Sequence, residues 1–228
     1  MAMETTKSGT EGLDELFAIK GLPSRSSILV SGEPGAGKSI LAMQFIYNGA
    51  KLFGESGVYV TSEQSVEKVR SIAKSLGMDF EPLEKKGLVT LMKMPIARGY
   101  EMAPEELLRM VKKSNVKRIT IDSITPLEYL TTDQKEFKVK LLTLIETLTR
   151  EDSTLLVTAE KTKTDFDNIE FNSEDFLFDG LILMGRMRKA VSFQRVLSII
   201  KMRGTAHSED LHPVEITDHG LKVRKLEA

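Results

Sequence analysis

A glycine-rich octapeptide, Gly32-Glu33-Pro34-Gly35-Ala36-Gly37-Lys38-Ser39, joins the apolar run Ile28-Leu29-Val30 to a helical run from Ile40 to Tyr47. Glycine lets the backbone take positive φ angles and approach an anion closely, so that successive N–H groups converge on phosphate oxygens at a helix N-terminus. Lys38 can reach β and γ phosphates, and the Ser39 hydroxyl can hold Mg²⁺. The expected nucleotide contacts here are Gly32, Gly35, Ala36, Gly37, Lys38, Ser39 and Ile40.

The alternative interpretation of this octapeptide is a glycine-rich strand-to-helix turn that matches the pattern by accident. The full pattern stands between a plausible strand and a plausible helix, and this context favours a phosphate-binding loop. We call residues 32–39 the cradle.

The order of predicted elements indicates an α/β fold. Helical patterns alternate with predicted strands at Ile28–Ser31, Val58–Thr61, Leu88–Met92, Arg118–Ser123 and Leu155–Thr158, and one helix is predicted from Pro104 to about Lys113. Such alternation is typical of a mostly parallel sheet flanked by helices. From Leu177 onward, strands follow one another directly, with joints at Gly185-Arg186, Gly204-Thr205 and Asp218-His219-Gly220. We therefore expect a single domain, residues 1–228, with a C-terminal antiparallel β extension.

Composition limits the possible function classes. The 228 residues carry 32 Lys and Arg against 33 Asp and Glu, so nothing overall marks a polyanion-binding protein. The absence of cysteine excludes disulfides, thiol catalysis and thiolate metal sites, and it fits a reducing compartment. The first 20 residues are too charged for a signal peptide or a membrane span. We expect a cytoplasmic protein.

Two carboxylates follow predicted strands, where ligands bind in open parallel sheets. Asp122 ends an apolar strand and is a candidate ligand of Mg²⁺ or its waters; the alternative is a helix or turn cap. Glu63 follows the strand after the cradle helix and can deprotonate a water that attacks the γ-phosphate; the alternative is a solvated strand end.

Several motifs together resemble a single domain of the KaiC family, which belongs to the RecA-like P-loop ATPases. They are Gly21-Leu22-Pro23, the cradle, Val60-Thr61-Ser62-Glu63-Gln64, Ile121-Asp122-Ser123, Lys201-Met202-Arg203-Gly204-Thr205-Ala206-His207 and Ile216-Thr217-Asp218-His219-Gly220. The likeness covers nearly the whole chain. Many NTPases share the cradle, whereas the segment from Lys201 to Gly220 is specific to this family.

The resemblance implies a homo-oligomeric ring, usually a hexamer, that holds ATP and Mg²⁺ between neighbouring subunits. Glu63 matches the first of two paired catalytic glutamates, and Ser75 matches a residue near the base on the cradle side. Lys201 and Arg203 match basic residues that reach the γ-phosphate from the next subunit. By the same resemblance, nucleotide contacts from that side are Met202, Thr205, His207, Thr217 and Asp218.

The residues themselves support part of this assignment. Positions 201 and 203 are two apart on a strand and must share a face, while Met202 points into packing. Two cations on one strand face are otherwise typical of a solvated sheet edge.

Two departures from the family pattern matter. Gln64 stands where a second catalytic glutamate is usual, so we expect slow ATP turnover. A nucleotide-gated scaffold with negligible turnover is an alternative for the same reason. The clock protein of this family has an adjacent Ser-Thr pair that is phosphorylated, whereas Thr162 and Thr164 in the corresponding loop of this chain are not adjacent. Clock function is therefore not transferred to this chain.

A DNA-handling role is the other alternative, since RecA relatives bind DNA through loops at the ring's centre. The candidate loops, Thr125–Glu136 and Thr162–Asp175, carry more acids than lysines and would repel phosphate. The basic turn Arg186-Met187-Arg188-Lys189 is the counter-evidence, and a solvated hairpin tip is the better interpretation of it. A metal cluster of His207, His212 and His219 is disfavoured, because His207 has the better-motivated nucleotide role and His219 lies in a turn. The sequence names no protein partner.

Overall fold

The computed structural model describes residues 4–94, 105–131, 133–150 and 152–224. The strands in these ranges are β1 (Thr5–Thr6), β2 (Leu22–Pro23), β3 (Ser27–Gly32), β4 (Gly57–Thr61), β5 (Val89–Lys93), β6 (Arg118–Asp122), β7 (Thr154–Glu160), β8 (Gly180–Lys189), β9 (Ser192–Met202), β10 (His212–Thr217) and β11 (Gly220–Val223). The α-helices are α1 (Lys38–Phe53), α2 (Val66–Ser75), α3 (Glu81–Lys85), α4 (Glu105–Ser114), α5 (Thr125–Leu130) and α6 (Gln134–Arg150).

One nine-stranded sheet has the order β11-β10-β9-β8-β3-β7-β6-β4-β5. The six strands from β8 to β5 run parallel, and β9, β10 and β11 each run antiparallel to the preceding strand. The predicted parallel core with an antiparallel extension is therefore confirmed. All six residues of β3 are buried, as expected for a central strand covered on both faces.

Helices cover the two faces of the sheet and create two apolar clusters. On one face α1 contributes Leu41, Phe45 and Ile46, together with residues of α2 and β11. On the other face α6 contributes the stripe predicted from its sequence, Phe137, Leu141, Leu144, Ile145 and Leu148, all of them buried. The sheet is thus held rigidly between two layers, and its strand ends become fixed positions for functional side chains.

Some sequence predictions of local structure are wrong. The turn expected at Gly185-Arg186 lies instead at Ala190-Val191, because β8 continues to Lys189. Gly185 is needed for space: a Cβ there would lie 2.9 Å from side-chain atoms of Thr164 and of Phe166. The basic segment therefore belongs to β8 rather than to the tip itself.

Short helices account for other differences. The stretch expected as a loop from Thr125 begins with α5, and α3 was not predicted. A 3-10 turn at Ser173–Phe176 occupies the end of the polar segment, so that β8 begins at Gly180 rather than at Leu177. Pro104, the expected start of α4, lies outside the described residues. Among the described helices, none has the length and apolarity that crossing a membrane requires.

Candidate nucleotide-binding site

The cradle leaves the carboxyl end of β3 and turns directly into α1. At Gly32 a Cβ would lie 1.8 Å from the carbonyl oxygen of Met184, so the close approach of β3 to β8 requires glycine. Gly37, with φ of 110°, is the residue before α1, and Gly35 has φ of 78°. These angles direct the loop across the N-terminus of a 16-residue helix, where backbone N–H groups favour an anion.

Lys38 is a buried cation at the centre of this loop, with 7% of its surface exposed. Its Nζ donates to the carbonyl oxygens of Gly32 at 2.9 Å and Glu33 at 3.1 Å. Burial lowers the Lys38 pKa, while the carboxylates of Glu160, Asp122 and Glu63 oppose that effect. No acid of the described ranges lies within ion-pair distance of Nζ, so the charge is available to an incoming phosphate.

Asp122 at the end of β6 faces Ser39 across the cradle. Its Oδ1 accepts hydrogen bonds from Ser39 Oγ at 3.2 Å and from the Thr158 hydroxyl, and its Oδ2 accepts one from Tyr59. Burial and the Asp122 charge raise the pKa of Tyr59 well above its ordinary value, which keeps that phenol protonated as a donor. Asp122 is thus not a helix cap. The paired oxygens of Ser39 and Asp122 are the hard donors that Mg²⁺ prefers, so the residues present fit that ion.

Glu63 follows β4 at the mouth of the same site. Its Oε1 accepts a hydrogen bond from Ser123 Oγ at 2.7 Å, and Ser123 N donates to Ser62 Oγ at 2.9 Å. Lys93 Nζ also donates to the Ser62 carbonyl at 2.7 Å. These contacts fix the chain just before Glu63 and hold its carboxylate against Ser123 instead of leaving it as a freely solvated strand end.

A cavity of about 340 Å³ lies between the cradle and these strand ends. Predicted site residues in its lining are Gly35, Gly37, Lys38, Ser39, Ile40, Glu63 and Asp122. Gln64 lines the cavity too, with its backbone N–H bonded to Thr61 Oγ1 at 3.1 Å. Gly32 and Ala36 complete the loop behind it, where Ala36 is fully buried.

Sequence reasoning gave no part in the site to three cavity residues, Thr158, Glu160 and Arg195. Glu160 had a usable signal, because it ends a strand next to β3 and the strand-end rule applied to Asp122 applies to it as well. Arg195 had none. It reaches the site only through the pairing of β9 with β8, and its Nε donates to the Gly35 carbonyl at 2.9 Å.

Lys201 and Arg203 lie toward the opposite end of the sheet. Met202 pairs with Gly180, which pairs with Ile28, and Gly32 is four residues further along β3. At about 3.3 Å per residue this places Met202 roughly 13 Å from the cradle along the strand direction, and β9 is also two strands away. Met202 is buried, as expected for the residue between the two cations. Neither cation therefore lies beside the cradle of its own chain.

The surroundings of these cations are partly apolar. Arg203 Nη1 lies 3.3 Å from Asp179 Oδ1, and Lys201 Nζ lies 5.8 Å from the Phe176 ring centroid. Phe176 is 60% exposed. Thr205 and His207 follow in the same segment, where His207 bridges to Phe17 of the N-terminal stretch.

Thr217 and Asp218 lie at the cradle end, contrary to the expectation that grouped them with Lys201 and Arg203. The physical reason is direction: β10 is antiparallel to β9, so its carboxyl end returns toward the cradle. Ile216 lines the cradle cavity, and a Cβ on Gly77 would lie 3.0 Å from the Asp218 carbonyl oxygen. Ser75, two residues before Gly77, thus shares this side with them, and its hydroxyl donates to the Ile72 carbonyl at 2.8 Å.

This fold and this cradle define a RecA-like P-loop protein. Comparison with known families gives the narrower assignment: a family model described as "ATPase: KaiC" matches residues 6–228. The chain belongs to the KaiC family, and this membership implies nucleotide binding.

Individual relatives differ in length from this chain. The circadian clock oscillator protein KaiC of Synechococcus elongatus is 28% identical over 236 residues, which cover 100% of this chain and 45% of that protein. The UPF0273 protein of Thermotoga maritima is 30% identical over 237 residues, which cover 97% of this chain and 96% of that one. The crystal structure of a KaiC-like protein from Pyrococcus horikoshii superposes with a TM-score of 0.85 at 32% identity, covering 98% of this chain and 100% of that one. The chain thus spans less than half of the clock protein.

Proposed function

We propose that this protein is a Mg²⁺-dependent ATPase that forms a homo-hexameric ring, with each ATP held between two subunits. The observation that carries the proposal is the separation within one chain of the cradle and Glu63 from the cations Lys201 and Arg203. If all four act on one ATP, the cations must come from a neighbouring subunit.

The chemistry follows from the groups around the cavity. The cradle N–H groups and Lys38 bind the phosphates, and Glu63 takes the proton of a water that attacks the γ-phosphate. A Mg²⁺ ion held by Ser39 and Asp122 would neutralise charge on the β and γ phosphate oxygens. Lys201 and Arg203 of the next subunit would stabilise the charge that develops in the transition state.

The exposed face around Phe176 supports a head-to-tail contact between copies. An interface of this kind joins two different surfaces and closes into a ring when the rotation allows. Here one surface is the cradle mouth, and the other carries Lys201, Arg203 and the exposed Phe176 ring. Cations on this second surface complement the phosphates of ATP bound to the first.

We further propose that the nucleotide state of this ring switches a surface read by an unidentified protein partner. The clock oscillator relatives motivate a regulatory role, but clock function itself is not proposed. Thr164 is buried and its hydroxyl donates to the Met184 carbonyl at 3.3 Å, so Thr162 and Thr164 do not form an exposed pair for modification.

A DNA-handling role receives less support. The loop after β7 carries Asp165, Asp167 and Glu170, and the Lys161 ammonium within it is bonded to the Glu170 carbonyl at 2.7 Å. Nucleic-acid phosphates would meet mainly negative charge here.

The proposed function is tested with purified protein, MgATP and measurement of phosphate release. We expect slow turnover that depends on Mg²⁺, and a Lys38→Ala variant with weakened binding of a fluorescent ATP analogue. Lys51→Ala, which changes an exposed lysine of the same helix, is the matched control. Binding without turnover would replace the ATPase by a nucleotide-gated scaffold, and absence of binding would refute both.

A further inference from the structure

Glu160 is a carboxylate at the cradle that the assignments above leave without a role. It is the last residue of β7 and pairs in register with Gly32, the first residue of the cradle. Its backbone N–H donates to Thr125 Oγ1 at 2.8 Å, which fixes the strand end. Its side chain is exposed and has neither a hydrogen bond nor an ion pair with the described part of the chain.

The neighbouring carboxylates are already engaged. Asp122 accepts hydrogen bonds from Ser39, Thr158 and Tyr59, and Glu63 accepts one from Ser123. Glu160 is also the carboxylate that most raises the Lys38 pKa against the lowering effect of burial. A free negative charge next to a phosphate-binding lysine weakens anion binding. A carboxylate at this position is therefore expected to serve another purpose in the site.

The sheet places Glu160 opposite Glu63. Strand β6 separates β7 from β4, so the two strand ends are two interstrand spacings apart, or roughly 10 Å between backbones. Both side chains line the cradle cavity. This separation leaves room for a water molecule between two carboxylates that line the same cavity.

A water that attacks phosphorus has two protons to direct. One acceptor takes a proton as general base, and a second acceptor that binds the other O–H fixes the orientation of the lone pair. At the position after Glu63 this chain has Gln64, which has no carboxylate and whose backbone N–H and C=O are both bonded to Thr61 Oγ1.

We propose that Glu160 is the second carboxylate of the hydrolytic site and orients the attacking water; this inference rests on the proposed ATPase function. The water oxygen bonds to the γ-phosphorus while the bond from that phosphorus to the β–γ bridging oxygen breaks. ADP leaves with the electron pair, and the water proton passes to Glu63. Glu160 accepts a hydrogen bond from the remaining O–H and takes up no proton.

The test compares Glu160→Gln with Glu170→Gln in the full-length protein. Glu170 is also exposed and follows on the loop after β7, but it does not line the cradle cavity. A glutamine amide oxygen accepts the water O–H more weakly than a charged carboxylate does, so we expect Glu160→Gln to lower kcat about 10-fold or more. The KM and the Kd for an ATP analogue should stay equal or fall, since a repulsive charge is removed. Glu170→Gln should keep the parental kcat, and Glu160→Asp, which keeps the charge, should retain more activity than Glu160→Gln.

The outcomes separate this inference from the function on which it rests. A parental kcat in Glu160→Gln, or equal losses in both glutamine variants, would overturn the role of Glu160 while the parent's turnover still supports the ATPase. A parent with no measurable turnover would overturn both. Unchanged thermal midpoints in all variants are expected, because both glutamate side chains are exposed; a lowered midpoint in Glu160→Gln that accounts for its lost activity would count against the inference.

Discussion

Replacement of Glu63 by glutamine removes the proposed general base and leaves its position almost unchanged. Oε1 of the new amide can still accept the 2.7 Å hydrogen bond from Ser123 Oγ, so the strand end should keep its geometry. The cradle does not contact this side chain through any described hydrogen bond, and nucleotide binding should be preserved.

The magnitude follows from the lost proton transfer. General-base catalysis contributes about 10²–10⁴-fold, or roughly 3–5 kcal/mol of activation free energy, and an amide cannot take up the proton. We therefore expect kcat of Glu63→Gln to fall by at least about 10²-fold, with an unchanged Kd for an ATP analogue.

The assay is steady-state phosphate release at saturating MgATP, with analogue binding measured on the same preparation. Glu81→Gln is the control, because Glu81 is an exposed glutamate of α3 that is not among the cavity residues. Parental turnover in Glu63→Gln would refute the assignment of the base. Loss of both binding and turnover would indicate a structural role instead.

Three further predictions concern stability, pH and nucleic acid. Gly32→Ala should lower the free energy of unfolding in urea titrations, because its Cβ would lie 1.8 Å from the Met184 carbonyl oxygen; a parental midpoint would contradict this close approach. The hydrogen bond from Lys117, together with the nearby Arg25, lowers the pKa of Asp152 below its ordinary value of 3.8. The ionised Asp152 therefore stabilises the folded state fully above pH 3.8, and this stabilisation is lost as the pH falls through the lowered pKa. Asp152→Asn should thus cost no more than about 1 kcal/mol at pH 7 for this exposed pair, and the difference from the parent should vanish in urea titrations at the acid end; a constant difference would exclude the linkage. Labelled DNA oligonucleotides should show no anisotropy change at about 150 mM salt, and sub-micromolar binding would favour the DNA-handling alternative.

The periodicity of apolar residues predicted most of the fold, and the rule that ligands bind at the carboxyl ends of parallel strands predicted much of the site. The cradle, Asp122 and Glu63 were found because each lies within a few residues of a strand whose apolar run is visible in the sequence. Glu160 follows the same rule, and it was missed because β7 was predicted to stop at Thr158.

Residues brought in from other parts of the sheet were harder to predict. Arg195 contacts the cradle only because β9 pairs with β8, and no local pattern encodes that register. The position of Thr217 and Asp218 depends on the direction of β10 relative to β9, which a resemblance between motifs does not specify. Long-range strand pairing therefore sets the limit of the sequence prediction.

The shared active site is tested most directly by mixing two inactive variants. Glu63→Gln lacks the base beside its own cradle, and Arg203→Ala lacks the cation offered to its neighbour, so each should be nearly inactive alone. After subunit exchange, verified by fluorescence transfer, random equal mixing in a head-to-tail ring makes about one interface in four join an intact Glu63 to an intact Arg203. We predict recovery of about a quarter of parental ATPase activity. Confirmed exchange with no recovered activity would contradict an active site shared between subunits.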